Sequence, residues 1–390
     1  EIERARAAAD TSPDARARLD LALSELETAR IGTIHGFCAD LLRERPVEAG
    51  IDPLFDVAAE EEKDRILDAC FDTFFQRALS APPPGVARVL RRRSQRRDAI
   101  GPRDELRRAA LSLIEQRDYD APWAVPAGFD RLRELDARFS ELRDLAKLAD
   151  ESDNKESWLV KSLQEIGRVV AEVERRERVR GGERDHDGLE AELRALGRQR
   201  LWGWKGSGKW FSKTRERANV LDFREKTKER LLRTLDLADA ELAAQLRDEL
   251  RDVVSEYVRL KQRAGKLDFL DLLLVARDLL CERADVRVEL QSRFTHLLVD
   301  EFQDTDPLQA EILFLLAARE PSAARLEDAE PEPGKLFFVG DPKQSIYRFR
   351  RADVTFYERL KRRLVAGGAS VLHLRTSFRS VPSIQTMVNA

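Results

Sequence analysis

Two adjacent carboxylates, Asp300 and Glu301, stand directly after the apolar run Leu297-Leu298-Val299. A strand that ends in two acids can set one carboxylate beside a magnesium-bound phosphate and leave the next to orient an attacking water. The string continues Phe302-Gln303-Asp304-Thr305-Asp306-Pro307. Asp306 suits the N-cap of a following helix and Pro307 its first position, with Leu308, Ile312 and Leu315 at core spacing. An isolated Asp-Glu pair in this place is more often a solvated, capped turn, so the weight rests on the whole string DEFQDTDPLQ. A magnesium nuclease built on Asp300, Glu301 and Asp304 is a rival chemistry, but acids crowded into one turn suit a nucleotide site better.

A second apolar run, Leu336-Phe337-Phe338-Val339, delivers Gly340-Asp341-Pro342-Lys343-Gln344-Ser345-Ile346-Tyr347-Arg348-Phe349-Arg350. Glycine lets the chain leave a sheet sharply. The head of the loop, with Gln344, suits a phosphate, while the aromatic and guanidinium groups of its tail suit unpaired bases and their backbone. The competing reading buries Tyr347 and Phe349 as core anchors and leaves the arginines on the surface.

Three further strings flank these two. Thr33-Ile34-His35-Gly36-Phe37 opens a short amphipathic helix that Pro46 ends. Leu267-Asp268-Phe269-Leu270-Asp271-Leu272-Leu273 follows a long helical stretch, and Leu374-Arg375-Thr376-Ser377-Phe378-Arg379-Ser380 lies near the end. A lone His such as His35 is usually structural.

Taken in order, these strings resemble UvrD/Rep-type superfamily 1 DNA helicases, and most of all their RecB-like and AddA-like branch. The resemblance implies an ATP-driven motor with magnesium that moves 3' to 5' on DNA in repair and recombination. It implies that Asp300 and Glu301 serve the metal, with Glu301 the general base and Gln303 a sensor close to the nucleotide. Gln344 would sense the terminal phosphate, Phe378 stack on adenine, and Arg379 stabilise charge on the transferred phosphoryl group. Thr33, His35 and Phe37 would lie against single-stranded DNA, as would Tyr347, Phe349 and Arg350. Single-stranded and duplex DNA are the implied partners, with a second helicase-nuclease subunit beside them. The chain departs from the family pattern at Arg351, where relatives commonly carry Gly, and at Ser377, where many have Asn.

Gly203-Trp204-Lys205-Gly206-Ser207-Gly208-Lys209 fits the spacing of a phosphate-binding loop, but Trp210 follows where Ser or Thr must hold magnesium. A charged helical pattern precedes it where a buried strand is required. The loop is therefore expected not to be the nucleotide grip; with Trp202, Trp204, Trp210, Lys205 and Lys209 it reads as a basic aromatic loop able to contact DNA. The runs Arg91 to Arg97 and Arg175 to Arg184 invite the same idea, although such runs are usually solvated helix faces.

The elements that must position these residues follow from pattern and composition. The chain has 390 residues, 42% hydrophobic and 36% charged, with only 19 Gly and 15 Pro, a balance that favours long charge-coated helices. The net charge of -3 sets 69 basic against 72 acidic residues, so charge alone announces no nucleic-acid partner. Cys38, Cys70 and Cys281 lie far apart in apolar helical contexts and read as reduced thiols of a cytoplasmic protein. No stretch approaches the roughly 18 apolar residues of a membrane span, so no membrane partner is expected.

Short apolar runs at 296–299, 336–339 and 371–374 read as strands of a parallel sheet with helices on both faces. The expected fold is thus α/β but mostly helical: a RecA-like, P-loop NTPase-type sheet core carrying a large all-helical insertion. Residues 1–45 are assigned to the first motor domain, 46–265 to the insertion, 266–375 to the rest of that domain, and 376–390 to the start of a second. The initial Glu1 and the lack of a phosphate loop read as a piece of a longer protein. A non-catalytic DNA-binding scaffold subunit of a helicase-nuclease complex is the alternative.

Overall fold

The computed structural model describes residues 13–24, 26, 29–92, 100–119, 121–125, 127–345, 354–374 and 381–388. It is mostly helical, 66%, with small parallel sheets. The helices are α1 Pro13–Ser24, α2 Ile34–Glu44, α3 Glu60–Ser80, α4 Pro84–Arg91, α5 Pro102–Glu115, α6 Arg131–Glu151, α7 Trp158–Val179, α8 His186–Gly197, α9 Arg217–Glu249, α10 Arg251–Arg263, α11 Phe269–Glu282, α12 Ala284–Arg293, α13 Pro307–Ala317, α14 Val354–Ala366 and α15 Pro382–Val388. The strands are β1 Asp56–Val57, β2 Lys266–Leu267, β3 Leu297–Val299 and β4 Leu336–Phe338. Two compact units result, Glu1–Ala58 with Gly265–Ala390, and Ala59–Ala264.

In the first unit, β3 and β4 pair in parallel with Leu297 opposite Leu336 and Val299 opposite Phe338. Leu297 is buried and joins one core with Phe302, Phe314 and Leu41. Helix α13 is buried nearly all round, from Leu308 to Ala317, because its sequence is apolar on every face. Asp306 caps it, accepting the Gln309 N–H at 2.8 Å, and Pro307 fills the first turn, where no N–H donor is needed. In α11 the two acids of the LDFLDLL string cap reciprocally: Asp271 N–H donates to Asp268 Oδ1 and Asp268 N–H to Asp271 Oδ2, each at 2.9 Å.

Three expectations need correction. Val371 to Leu374 forms no strand: Leu372 and Leu374 are 81% and 96% exposed. An extended run becomes a strand only beside a neighbour that takes its hydrogen bonds, and no described segment does so here. The described helices do not cover both faces of the β3–β4 pair, since Leu298 and Phe337 alternate to an exposed face. Finally, residues 46 to 58 group with the α/β unit rather than with the insertion. Phe55 is buried in the α/β core, and β1 pairs in parallel with β2, Asp56 beside Lys266 and Val57 beside Leu267.

The helical unit has two apolar clusters, one over α6 to α9 around Phe139 and Leu163, the other over α3 to α5, α9 and α10 around Phe71 and Leu250. Its basic runs are largely spent on ion pairs. Arg175 and Arg176 hold Glu172, Arg184 holds Glu177 and Asp136, and Arg180 and Arg91 share Asp185. Residues 93–97 of the first run lie outside the described residues.

Candidate nucleotide site at the ends of two strands

Strand β3 ends at Val299, and Asp300 leaves it with Oδ1 accepting the Glu301 N–H at 2.9 Å. Glu301 then turns the chain in the left-handed region, φ 52° and ψ 38°, the only non-glycine with positive φ among the described residues. That conformation costs an ordinary side chain about 1–2 kcal/mol. Its neighbours enforce it: Phe302 N–H donates to Val339 O at 2.9 Å, and the Phe302 ring stacks on Phe338 at 4.0 Å and 6°. The result keeps both acids exposed at the carboxyl end of β3 while Phe302 and Gln303 turn inward.

Gln303, 2% exposed, joins this turn to the loop after β4. Its Nε2 donates to Glu301 Oε2 at 2.6 Å and, weakly, to Asp304 Oδ2 at 3.5 Å; its Oε1 accepts the Asp341 N–H at 2.9 Å. Ser345 Oγ donates to the Gln303 carbonyl at 3.3 Å. Gly340 makes this approach possible, because a Cβ there would lie 2.9 Å from Gln303 Oε1 and 3.2 Å from Gln303 N. Asp341 then binds Gln344, whose Nε2 donates to Asp341 Oδ2 at 3.0 Å. A continuous hydrogen-bonded path therefore runs from Glu301 through Gln303 and Asp341 to Gln344, all at one end of two adjacent parallel strands.

The electrostatics follow from the same contacts. The Gln344 amide and then the Lys343 N–H hold the Asp341 carboxyl below the usual carboxylate range. Asp304 is pushed up, first by loss of solvent and then by the Glu301 charge, and its Oδ1 is buried with no hydrogen-bond partner among the described residues. Asp300 and Glu301 each keep one carboxylate oxygen that accepts from no protein donor among the described residues. Among the described residues no three His, Cys, Asp or Glu side chains converge as a metal cage.

Helix α2 brings the TIHGF string close to the same acid segment. Burial lowers the His35 pKa while the charge of Asp306 opposes it, and His35 meets Phe269 edge-on at 5.3 Å. Thr33 Oγ1 accepts the Gly36 N–H as the helix cap, and Phe37 packs edge-on against Phe294 at 5.2 Å. Burial pushes the Cys38 thiol up to about 12, and Cys70 and Cys281 up to about 11, so none is poised as a nucleophile. Tyr347, Phe349, Arg350, Phe378 and Arg379 lie outside the described residues.

Sequence reasoning found Asp300, Glu301, Gln303 and Gln344 but passed over Asp341, the acid that links the loop's backbone to Gln344. A Gly-Asp pair leaving a strand was the available signal. The rejected loop Gly203 to Lys209 follows a short 3-10 turn, Arg200–Gly203, and no helix begins until Arg217. It has neither the preceding strand nor the following helix of a phosphate loop.

The ATP-dependent helicase/nuclease subunit AddA of Exiguobacterium sibiricum is 29% identical over 91% of this chain and 31% of its own length. The protein of that name from Oceanobacillus iheyensis is 26% identical over 92% of the chain and 31% of its own. DNA helicase II of Escherichia coli is 35% identical over 35% of the chain and 17% of its own length. The chain thus spans about a third of the length of the two AddA relatives. No helix among the described residues is long and apolar enough to cross a membrane. A model of the UvrD/REP helicase N-terminal domain matches residues 4–364, and the chain belongs to that family.

Proposed function

We propose that this chain forms part of the motor of an ATP-dependent DNA helicase and translocase of the AddA-like type, moving 3' to 5' in DNA repair and recombination. The supporting observation is the hydrogen-bonded path that ties Glu301 to Gln344 across two strand ends. It gives the acid turn and the amide loop a common ligand space, as ATP hydrolysis coupled to movement requires. The remaining strands of a RecA-like core, single-stranded and duplex DNA, a second member of a helicase-nuclease complex and a cytoplasmic location complete the proposal.

In this reading Asp300 and Glu301 hold a magnesium ion, which neutralises charge on the phosphates when bound with them. The residues fit, because such a magnesium needs only one or two carboxylates and takes phosphate oxygens and waters for the rest. Glu301 also orients the attacking water with the oxygen that Gln303 leaves free. A primary amide has two donor hydrogens. Gln344 commits one to Asp341 and offers the other to the terminal phosphate; Gln303 offers the hydrogen that Asp304 holds only at 3.5 Å. Phe378 stacks on the adenine and Arg379 reaches the terminal phosphate. Thr33, His35, Phe37, Tyr347, Phe349 and Arg350 form the single-strand contact.

The test is DNA-stimulated ATP hydrolysis by the full-length protein carrying Glu301→Gln. Loss of a positioned general base lowers turnover about 10²- to 10⁴-fold, with nucleotide binding retained. Unchanged turnover removes Glu301 from its role and the reading with it.

A further inference from the structure

The loop Gly203 to Trp210 is left without a task by the nucleotide site, yet it is a built structure. Arg224 is fully buried, and its one ion pair among the described residues is with Glu225, whose side chain is 53% exposed. Burial lowers its pKa. This costly cation donates to the carbonyls of Trp202 at 2.8 Å and Trp204 at 2.5 Å. Arg217 takes the carbonyls of Lys205, Gly206 and Gly208. The carbonyls are thereby tied down, while the N–H groups of Lys205 to Lys209 donate to no protein acceptor among the described residues.

Gly206, at φ +65°, closes the loop against the start of α7, where a Cβ would lie 2.5 Å from Ser157 Oγ. The loop and the segment Asn154 to Trp158 line an open surface cleft of about 680 Å³, within the roughly 300–1,000 Å³ of ligand pockets. Trp158 lines it and is 59% exposed, held edge-on by Trp204 at 5.4 Å and 67°. Lys205 also lines it and has no ion pair among the described residues. Glu156 at the rim is taken by Lys161 at 2.7 Å, and Lys161 Nζ lies 5.5 Å from the Trp158 ring centroid. The pairing recurs at Trp210, 58% exposed, with Lys209 Nζ 5.4 Å from its centroid.

We propose that this cleft binds one unpaired nucleotide of a DNA strand, its base on Trp158 and its phosphate at Lys205 and the loop N–H groups. An exposed indole offers a stacking face to any base, and an ammonium with unsatisfied N–H donors matches the adjoining phosphate. The second Trp–Lys pair supplies a face for a neighbouring nucleotide, which a strand uses and a free mononucleotide does not. The site is separate from the strand-end acids and works without ATP.

Binding of a fluorescein-labelled oligothymidine to the whole chain, without ATP, tests it. One stacked base contributes about 1–3 kcal/mol, so Trp158→Ala weakens binding at least about fivefold and Trp158→Phe recovers most of the loss. Lys205→Ala lowers the salt dependence of log K by about one phosphate contact. Both side chains are exposed, and an unchanged helical circular dichroism signal confirms folding. Wild-type affinity in Trp158→Ala, or an unaltered salt slope in Lys205→Ala, overturns the proposal. Displacement of the oligonucleotide by an equal concentration of free thymidine triphosphate also overturns it, by making the cleft a mononucleotide site. A failed Glu301→Gln test leaves these outcomes untouched, so the two readings fail separately.

Discussion

Glu301 and Gly340 show how single residues shape the strand-end site. Glu301 accepts a strained backbone so that its carboxylate stays outside while the next two residues turn in; Gly340 gives up a side chain so that the loop can touch Gln303. Gly340→Ala places a methyl group 2.9 Å from Gln303 Oε1. Forcing extra volume into a packed contact costs about 1–3 kcal/mol. In the full-length protein the expected outcome is a lower urea midpoint and a larger fractional loss of DNA-stimulated turnover than of stability, because the Gln303–Asp341 link carries the path to Gln344. A variant that loses stability yet keeps turnover shows that the path does not matter for hydrolysis.

At the scale of elements, helix termini and buried ion networks set the architecture. Glu249 reaches from α9 to accept the N–H groups of Gly85 and Val86 at the start of α4, at 2.7 and 2.9 Å. Glu190, 3% exposed on α8, accepts from Arg131 at 2.8 Å, Arg88 at 3.0 Å and Arg194 at 3.2 Å. Burial alone would raise its pKa, but Arg88, Arg131 and Arg194 outweigh that and hold it below the ordinary carboxylate value. A carboxyl whose folded pKa is depressed contributes stability above the unfolded value, about 4.3, and loses it as pH falls through the folded one. Thermal melts followed by circular dichroism should therefore show the chain weakening below about pH 4. At neutral pH, Glu190→Gln leaves three guanidinium groups short of a charge and costs roughly 3–5 kcal/mol, and its melts decline less on the acid side. Equal acid sensitivity in wild type and variant assigns the pH effect to other carboxyls.

At the scale of the whole chain, the proposed nucleotide site calls for a phosphate-gripping loop beside the strand-end acids. The spacing GxxxxGK occurs at Gly203 to Lys209, where Trp210 follows and a 3-10 turn, not a strand, leads in. The purified chain of 390 residues is accordingly expected to show no magnesium-dependent ATP hydrolysis above background, with or without DNA, in a phosphate-release assay. Robust turnover abolished by Glu301→Gln would mean that another segment grips the phosphates. Much of this organisation was legible in the residues alone. The acid string, the two strands that carry the site and the Asp306–Pro307 helix start follow from patterns within a few positions, because caps, periodicity and turns are settled by near neighbours in the chain, while the family was legible through the resemblance of several motifs in order. Contacts between distant segments were not legible. Two-residue strands such as β1 and β2 have no period to read, and the run at 371–374 has the composition of a strand without a neighbour to bond it among the described residues. Nothing local marks Glu301 for a left-handed backbone or Gln303 as the tie to Asp341. Those features exist only once β3 and β4 lie side by side, since a hydrogen bond between residues nearly forty positions apart is decided by tertiary packing and not by the sequence on either side.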